Sequence, residues 1–181
     1  MRIPWACVLA VCLGAATVRA TVLVPADLGE LSRSAVAIAR GRVVSVEGQW
    51  TDDHRSIETI VSLQVDEYLK GSLGSALQFR VPGGMLGRYR SIFVGAPEFA
   101  VDQQVVVFLG AQGPSVPHVL GLSQGVFRIV PDASGSGWLV TPPVMMPVAA
   151  ITTVQRGSLA RRPIALSAFE ARVRALAGAA K

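Results

Sequence analysis

The chain has 181 residues, of which 51% are hydrophobic and 16% are charged. This composition predicts one domain with a sizeable core and excludes wholesale disorder, while two cysteines are too few for a disulfide-dense scaffold. A formal net charge of +5 raises the question of a nucleic-acid or membrane partner, which depends on where the charges lie along the chain.

The first 20 residues have the features of a secretory signal peptide. Arg2 gives a positive start, Ala6 to Val18 is an apolar run too short to cross a bilayer, and Val18-Arg19-Ala20 precedes the predicted cut. A retained membrane anchor and a lipoprotein signal at Cys12 are alternatives. Because cleavage removes both cysteines, we expect an exported protein, periplasmic or secreted, without disulfides or thiolate metal sites.

The mature chain is predicted to begin with a short helix and two long strands. The helix covers Pro25 to Arg33, and the first strand covers Ala35 to Glu47, with Gly41 at a bulge or close approach. After a polar turn from Gln49 to Arg55, apolar and polar residues alternate from Ile57 to Val65. This period of two predicts a strand with one buried face.

A third strand and a long loop follow. The strand covers Leu77 to Val81 and ends at Pro82-Gly83-Gly84. From Gly84 to Phe99 we predict a loop with an apolar insert at Ile92 to Val94. Val105 to Leu109 is a continuous apolar run, as expected for a strand that is buried on both faces.

The C-terminal part combines short strands with a helix. Strands are predicted at His118 to Leu122, Val126 to Val130 and Trp138 to Val140. The Pro, Met and Arg content from Thr141 to Pro163 predicts an extended segment on the barrel surface. Ser167-Ala168-Phe169-Glu170 fits a capping box, which predicts a terminal amphipathic helix of about ten residues that docks on the domain.

These elements predict a mainly β fold. We expect a small antiparallel, OB-like β-barrel with a short N-terminal helix and a docked C-terminal helix, a sandwich being the alternative. The predicted organisation is a signal peptide over 1–20, a barrel over 21–140, an extended segment over 141–163 and a C-terminal helix over 164–181.

Four segments between Ala35 and Leu109 carry a family resemblance. Their sequences are A-V-A-I-A-R-G-R-V-V-S-V at Ala35 to Val46, V-D-E-Y-L-K-G at Val65 to Gly71, L-Q-F-R-V at Leu77 to Val81 and Q-V-V-V-F-L-G at Gln104 to Gly110. In this order the segments resemble the OB-fold barrels of the netrin-module group, which includes the tissue inhibitors of metalloproteinases. The chain is also similar to exported bacterial proteins with P-G-G and G-x-P-x-F in this order, here at Pro82 to Gly84 and Gly95 to Phe99.

The resemblance implies an OB-fold barrel and makes a metalloprotease inhibitor or protease-associated protein one functional alternative. Inhibitors of that group bind the protease zinc through an N-terminal cysteine held by disulfides. The predicted mature terminus here is Thr21, and no cysteine follows it. An inhibitor of this type would therefore have to approach the metal with its α-amino group alone.

Residues that usually carry catalysis are sparse. Asp52-Asp53-His54 could be a fragment of a metal site, or simply a solvated hairpin turn. The second histidine is His118, and the G-x-S-x-G pattern of a serine nucleophile is absent. A hydrolase using His54 or His118 remains an alternative, but the sequence predicts no catalytic residue, cofactor or metal ligand.

The predicted contact surface lies on the loop from Pro82 to Phe99, because long loops on rigid barrels tend to carry function. Two arginines flank an aromatic ring there and could bind a carboxylate, a phosphate or a partner surface. Trp50, beside the first hairpin, is either a contact or a cover for the barrel end. The candidate contact residues are Arg88, Tyr89, Arg90, Trp50, Glu98 and Phe99.

The charge distribution excludes a basic barrel. Thr21 to Gln155 holds nine basic and eleven acidic residues, whereas Arg156 to Lys181 holds six basic residues and one acidic residue. Because aromatic residues are only 6% of the chain, we expect no nucleic-acid partner. The sequence favours an exported, non-catalytic binding module that contacts another exported protein, a protease or an envelope component, and is not an integral membrane protein once processed.

Overall fold

The computed structural model describes residues 26–111, 116–133, 135, 137–141 and 163–178. The predicted signal peptide, Thr21 and almost all of the predicted extended segment over 141–163 lie outside this part of the chain. The helices and strands are α1 (Leu28–Ser34), β1 (Ala37–Trp50), β2 (Ile57–Lys70), β3 (Ala76–Pro82), β4 (Gly84–Leu86), β5 (Tyr89–Ser91), β6 (Gln104–Gly110), β7 (His118–Val119), β8 (Val126–Pro131), β9 (Trp138–Thr141), β10 (Ile164–Ala165) and α2 (Leu166–Gly178).

Five strands close into a barrel in the order β1-β2-β3-β7-β6, and β6 pairs back with β1. The neighbours are antiparallel except for β3 and β7, which run parallel and meet at Arg80 and His118. The predicted OB-like barrel with two helices is therefore confirmed. Strands β8, β9 and β10 extend the sheet from β6, so part of the sheet continues outside the closed barrel.

Gly41 lies where β1 and β2 shift register, as predicted. A β-carbon at this position would overlap the backbone carbonyl of Gln64, so the two strands can approach only because the side chain is missing. The same strand continues to Trp50, past the predicted end at Glu47.

Strand β6 separates two hydrophobic cores. Val105, Val107 and Leu109 point into the barrel, whereas Val106 and Phe108 point to the other side, where the helices lie. Successive side chains of a strand alternate between faces, so both faces of β6 must be apolar. The continuous apolar run from Val105 to Leu109 thus has the predicted cause.

The two helices pack against each other and cover the second core. Helix α1 begins at Leu28, later than the predicted Pro25, because the Asp27 side chain caps it by accepting a hydrogen bond from Gly29 N at 3.1 Å. Helix α2 starts at Leu166, so Ser167 of the expected capping box is already inside the helix. Neither of these helices is long and apolar enough to span a membrane.

An ion-pair network joins α2 to the barrel. Glu170 contacts Arg40 of β1 at 3.2 Å and Arg174 at 3.8 Å. Glu67 of β2 lies 3.4 Å from Arg40 and also pairs with Arg174. Each of the four charged groups therefore faces two groups of opposite charge. Glu170 thus takes part in ion pairs instead of the predicted capping box.

Candidate functional site

The most distinctive surface lies where β1 and β2 continue past the barrel. Strand β1 leaves β6 after Arg42, and its distal half runs on with β2 to a turn at 51–56. We call this extension of β1 and β2 beyond the barrel the β1–β2 arm. The short β4–β5 hairpin packs on it. The predicted loop from Gly84 to Phe99 is thus wrong in its first part, because residues 84–91 form two paired strands.

The hairpin is fixed to the arm by its backbone. Thr59 Oγ1 donates to the Gly83 carbonyl at 2.7 Å, and Gly83 N donates to the Ile57 carbonyl at 3.0 Å. Gly83 and Gly84 have φ angles of +83° and +142°, which other residues rarely adopt. The two glycines therefore allow β3 to turn sharply into β4.

An open groove of about 370 Å³ lies between the hairpin and the segment that follows it. Its apolar lining includes Val46 and Val81 from the barrel strands, and Phe99, which also packs edge-on against Phe79 with ring centroids 5.4 Å apart. Phe99 is only partly exposed because it belongs to the edge of the barrel core. It is thus held firmly as part of the groove lining.

Four large apolar side chains stand exposed at this groove or next to it, and we call them the apolar rim. Ile92 is 75% exposed and Val94 is 83% exposed, although both are aliphatic. Single exposed apolar residues are ordinary, but a contiguous group marks an interaction surface. The apolar rim consists of Met85, Ile92 and Phe93, which line the groove, and of Val94, which follows them in the chain.

The predicted contact residues lie at one end of the molecule, but their contacts differ from one residue to the next. Trp50 and Tyr89 pack on each other with ring centroids 5.7 Å apart. Arg88 lies over the Tyr89 ring at 5.3 Å and donates to its hydroxyl. Arg90 and Glu98 line the groove, so these two are the charged groups available to a ligand there.

Sequence reasoning did not assign a contact role to Met85, Ile92 or Phe93. The signal was present, because Ile92 to Val94 is an apolar triplet in a glycine-rich connection between strands. The hairpin also had a signal. Gly87 has a φ of +57° in the two-residue turn between Leu86 and Tyr89, and glycine at such a turn is typical of β-hairpins.

The turn that contains Asp52-Asp53-His54 is organised by hydrogen bonds within the turn. Asp53 Oδ1 accepts hydrogen bonds from Thr51 Oγ1 at 2.6 Å and from Arg55 N at 3.2 Å. His54 has a φ of +54° in this turn, and His118 lies on β7. Within the described ranges, no group of three or more His, Cys, Asp or Glu side chains is placed to hold a metal ion.

The hydrogen bond from Thr51, together with that from Arg55 N, lowers the pKa of Asp53 below its usual value. We expect Thr51→Val to raise the pKa of Asp53, because the valine cannot donate to the carboxylate. An NMR titration that follows the Asp53 carboxyl carbon measures this pKa. Because the native pKa is depressed, any stability from this contact is present above the unfolded pKa and is lost as the pH falls.

The control for this titration is Thr141→Val, since the Thr141 hydroxyl donates to the Arg128 carbonyl and not to this turn. It should leave the titration of Asp53 as in the unmodified protein. An unchanged titration in Thr51→Val would contradict the assignment.

A second groove, of about 510 Å³, lies on the outer face of β2 and β3. OB folds bind oligonucleotides and oligosaccharides on this face. The described residues that line it are aliphatic residues, alanine, Ser62, Gln64, Ser75 and Gln78, and none of these described residues is aromatic or basic. Single-stranded nucleic acid requires both, so this groove is a poor candidate for a nucleic-acid site.

Comparisons with protein-family models, with curated proteins and with solved structures found no match to the chain. The protein is thus, in its described part, an OB-like barrel with two helices and an apolar groove beside its β1–β2 arm. The resemblance to netrin modules stays a prediction.

Proposed function

We propose that the protein is an exported, non-catalytic binding module that contacts another exported protein through the groove and the apolar rim. The observation that carries this proposal is the exposure of Ile92, Phe93 and Val94 beside a groove. Burying apolar surface is favourable by about 25 cal/mol per Å². A partner that covers these side chains therefore binds with a favourable free energy from the buried apolar surface.

The anchoring of the surface supports a binding role. The groove wall formed by β4 and β5 is tied to β2 through Thr59 and Gly83, and Phe99 is packed against the core residue Phe79. A surface that is already ordered loses little conformational entropy when a partner binds. This arrangement suits recognition by a preformed surface.

Affinity capture tests the proposal. The immobilised protein is exposed to periplasmic and medium fractions of its host, in parallel with an Ile92→Ser/Phe93→Ser variant. We expect recovery of the captured proteins to fall at least about tenfold in this variant, since it removes two side chains that a partner would bury.

The matched control is Leu73→Ser, which changes an exposed apolar residue in the connection between β2 and β3. Capture by this control should equal that of the unmodified protein. If the groove variant recovers the same proteins in the same amounts, the groove and the apolar rim are not the contact surface.

A further inference from the structure

The groove carries two charges of opposite sign, on two different walls. Arg90 lies on β5, and Glu98 lies on the segment between Ile92 and Phe99. They are the two charged residues among the described residues that line the groove. Both are exposed, and within the same part of the chain neither side chain forms an ion pair, with the other or with any third residue.

Strand geometry places Arg90 toward the groove. Arg90 is paired with Met85 across the hairpin, and Tyr89 points to the other face, where it meets Trp50. On the opposite wall, Arg128 donates to the Glu98 carbonyl at 3.2 Å and so fixes the backbone that carries this carboxylate. The two charges are thus attached to separate, ordered walls around an apolar lining.

From this charge arrangement we infer that the groove binds an extended peptide segment in which apolar residues separate an acidic residue at one end from a basic residue at the other. The acidic side chain pairs with Arg90, the apolar residues lie on the lining, and the basic side chain pairs with Glu98. A fatty acid or another amphiphilic anion would satisfy Arg90 and be repelled by Glu98. An amphiphilic cation would have the reverse problem.

The size of the groove limits the occupant. A volume of about 370 Å³ lies near the lower end of the 300–1,000 Å³ range of ligand pockets, so the groove holds a few residues. A loop or terminus of the exported partner fits this description. The inference rests on the proposed function and adds the charge pattern of the bound segment.

Defined peptides test the inference with the purified protein. Four fluorescein-labelled pentapeptides, blocked at both termini, share a central leucine-phenylalanine-leucine. Their end residues are glutamate then lysine, lysine then glutamate, two glutamates, or two serines. Fluorescence anisotropy should show that one of the two dipolar peptides binds roughly two- to fivefold more tightly than the peptides with two glutamates or two serines, because exposed ion pairs contribute modestly.

Charge exchange gives a readout that general damage to the fold would not produce. In the double variant Arg90→Glu/Glu98→Arg, the preference should invert, so that the dipolar peptide of opposite order binds more tightly. A matched control, Arg42→Glu/Asp102→Arg, exchanges a pair 3.9 Å apart outside the groove and should leave the original preference unchanged.

Three results would overturn the inference. The first is that all four peptides bind equally and that Ile92→Ser/Phe93→Ser abolishes their binding. The groove would then bind peptides without regard to charge, and the proposed function would stay intact. The second is the absence of binding by any peptide, in which case the capture experiment decides the proposed function separately. The third is a dimer in sedimentation experiments that Ile92→Ser/Phe93→Ser dissociates, because it would assign the groove to a second copy of the chain.

Discussion

Phe108→Ala is expected to lower the free energy of unfolding by about 3–5 kcal/mol, the range typical of large aromatic side chains removed from a core. Phe108 is 0% exposed and points from β6 into the second core. Its ring lies 5.5 Å from that of Phe127, which in turn lies 4.8 Å from the ring of Phe169 on α2. Urea denaturation followed by circular dichroism measures the change.

The control for this experiment is Val101→Ala, because Val101 is 56% exposed and truncation of such a residue changes stability by less than about 0.5 kcal/mol. Domains of this kind are stable by only about 5–15 kcal/mol, so the alanine variant can be largely unfolded. Phe108→Leu keeps most of the buried volume and should show a smaller loss in the same direction. A similar midpoint for Phe108→Ala and Val101→Ala would contradict the role of Phe108 in joining α2 to the sheet.

The second core shows which part of the fold the sequence could predict. The apolar run from Val105 to Leu109 indicated burial on both faces, and the structure places one face in the barrel and the other under the helices. Phe169 and Val173 likewise stand four residues apart, which is the spacing of one helix face, and both lie in the second core. Patterns of this kind are local, because each depends on neighbouring residues in one strand or helix.

Contacts between distant segments had no such signal. Arg40 and Glu67 face each other in the β1–β2 pair, and Glu170 reaches them only because α2, more than 100 residues later in the chain, docks there. Strands β4 and β5 have three residues each, too few for a period of two to be recognised. The sequence pattern therefore predicts a loop here, although Gly87 marks the turn of the hairpin.

The candidate site was predictable by region and less so by residue. The connection from Pro82 to Phe99 does form both walls of a groove, with Arg90 and Glu98 in its lining. Phe99, however, packs on Phe79 at the edge of the core, and the sequence could not distinguish an aromatic residue that supports a surface from one that contacts a partner. That distinction depends on which way the side chain points, and an irregular connection has no periodicity to fix it.

Gly48→Ala is expected to displace the β4–β5 hairpin and to open the groove while leaving the barrel folded. A β-carbon at Gly48 would overlap the carbonyl oxygen of Met85, which is backbone and cannot rotate away. The hairpin must therefore move off the arm, and overpacking of this kind costs about 1–3 kcal/mol. Because β4 and β5 form a separate sheet, the strain falls on the groove wall rather than on the pairing of the barrel strands.

Amide chemical shifts measured by NMR locate the change. They should move at residues 83–91 in Gly48→Ala and stay in place along β6, and capture through the groove should fall as in Ile92→Ser/Phe93→Ser. Gly137→Ala is the matched control, since a β-carbon there has nothing within 4 Å and no positive φ is required. Unchanged shifts at residues 83–91 in Gly48→Ala would mean that the hairpin does not rest on this glycine. If the shifts move but capture is retained, the partner does not depend on this wall, and the position of β4 and β5 is then a property of the fold rather than of the binding surface.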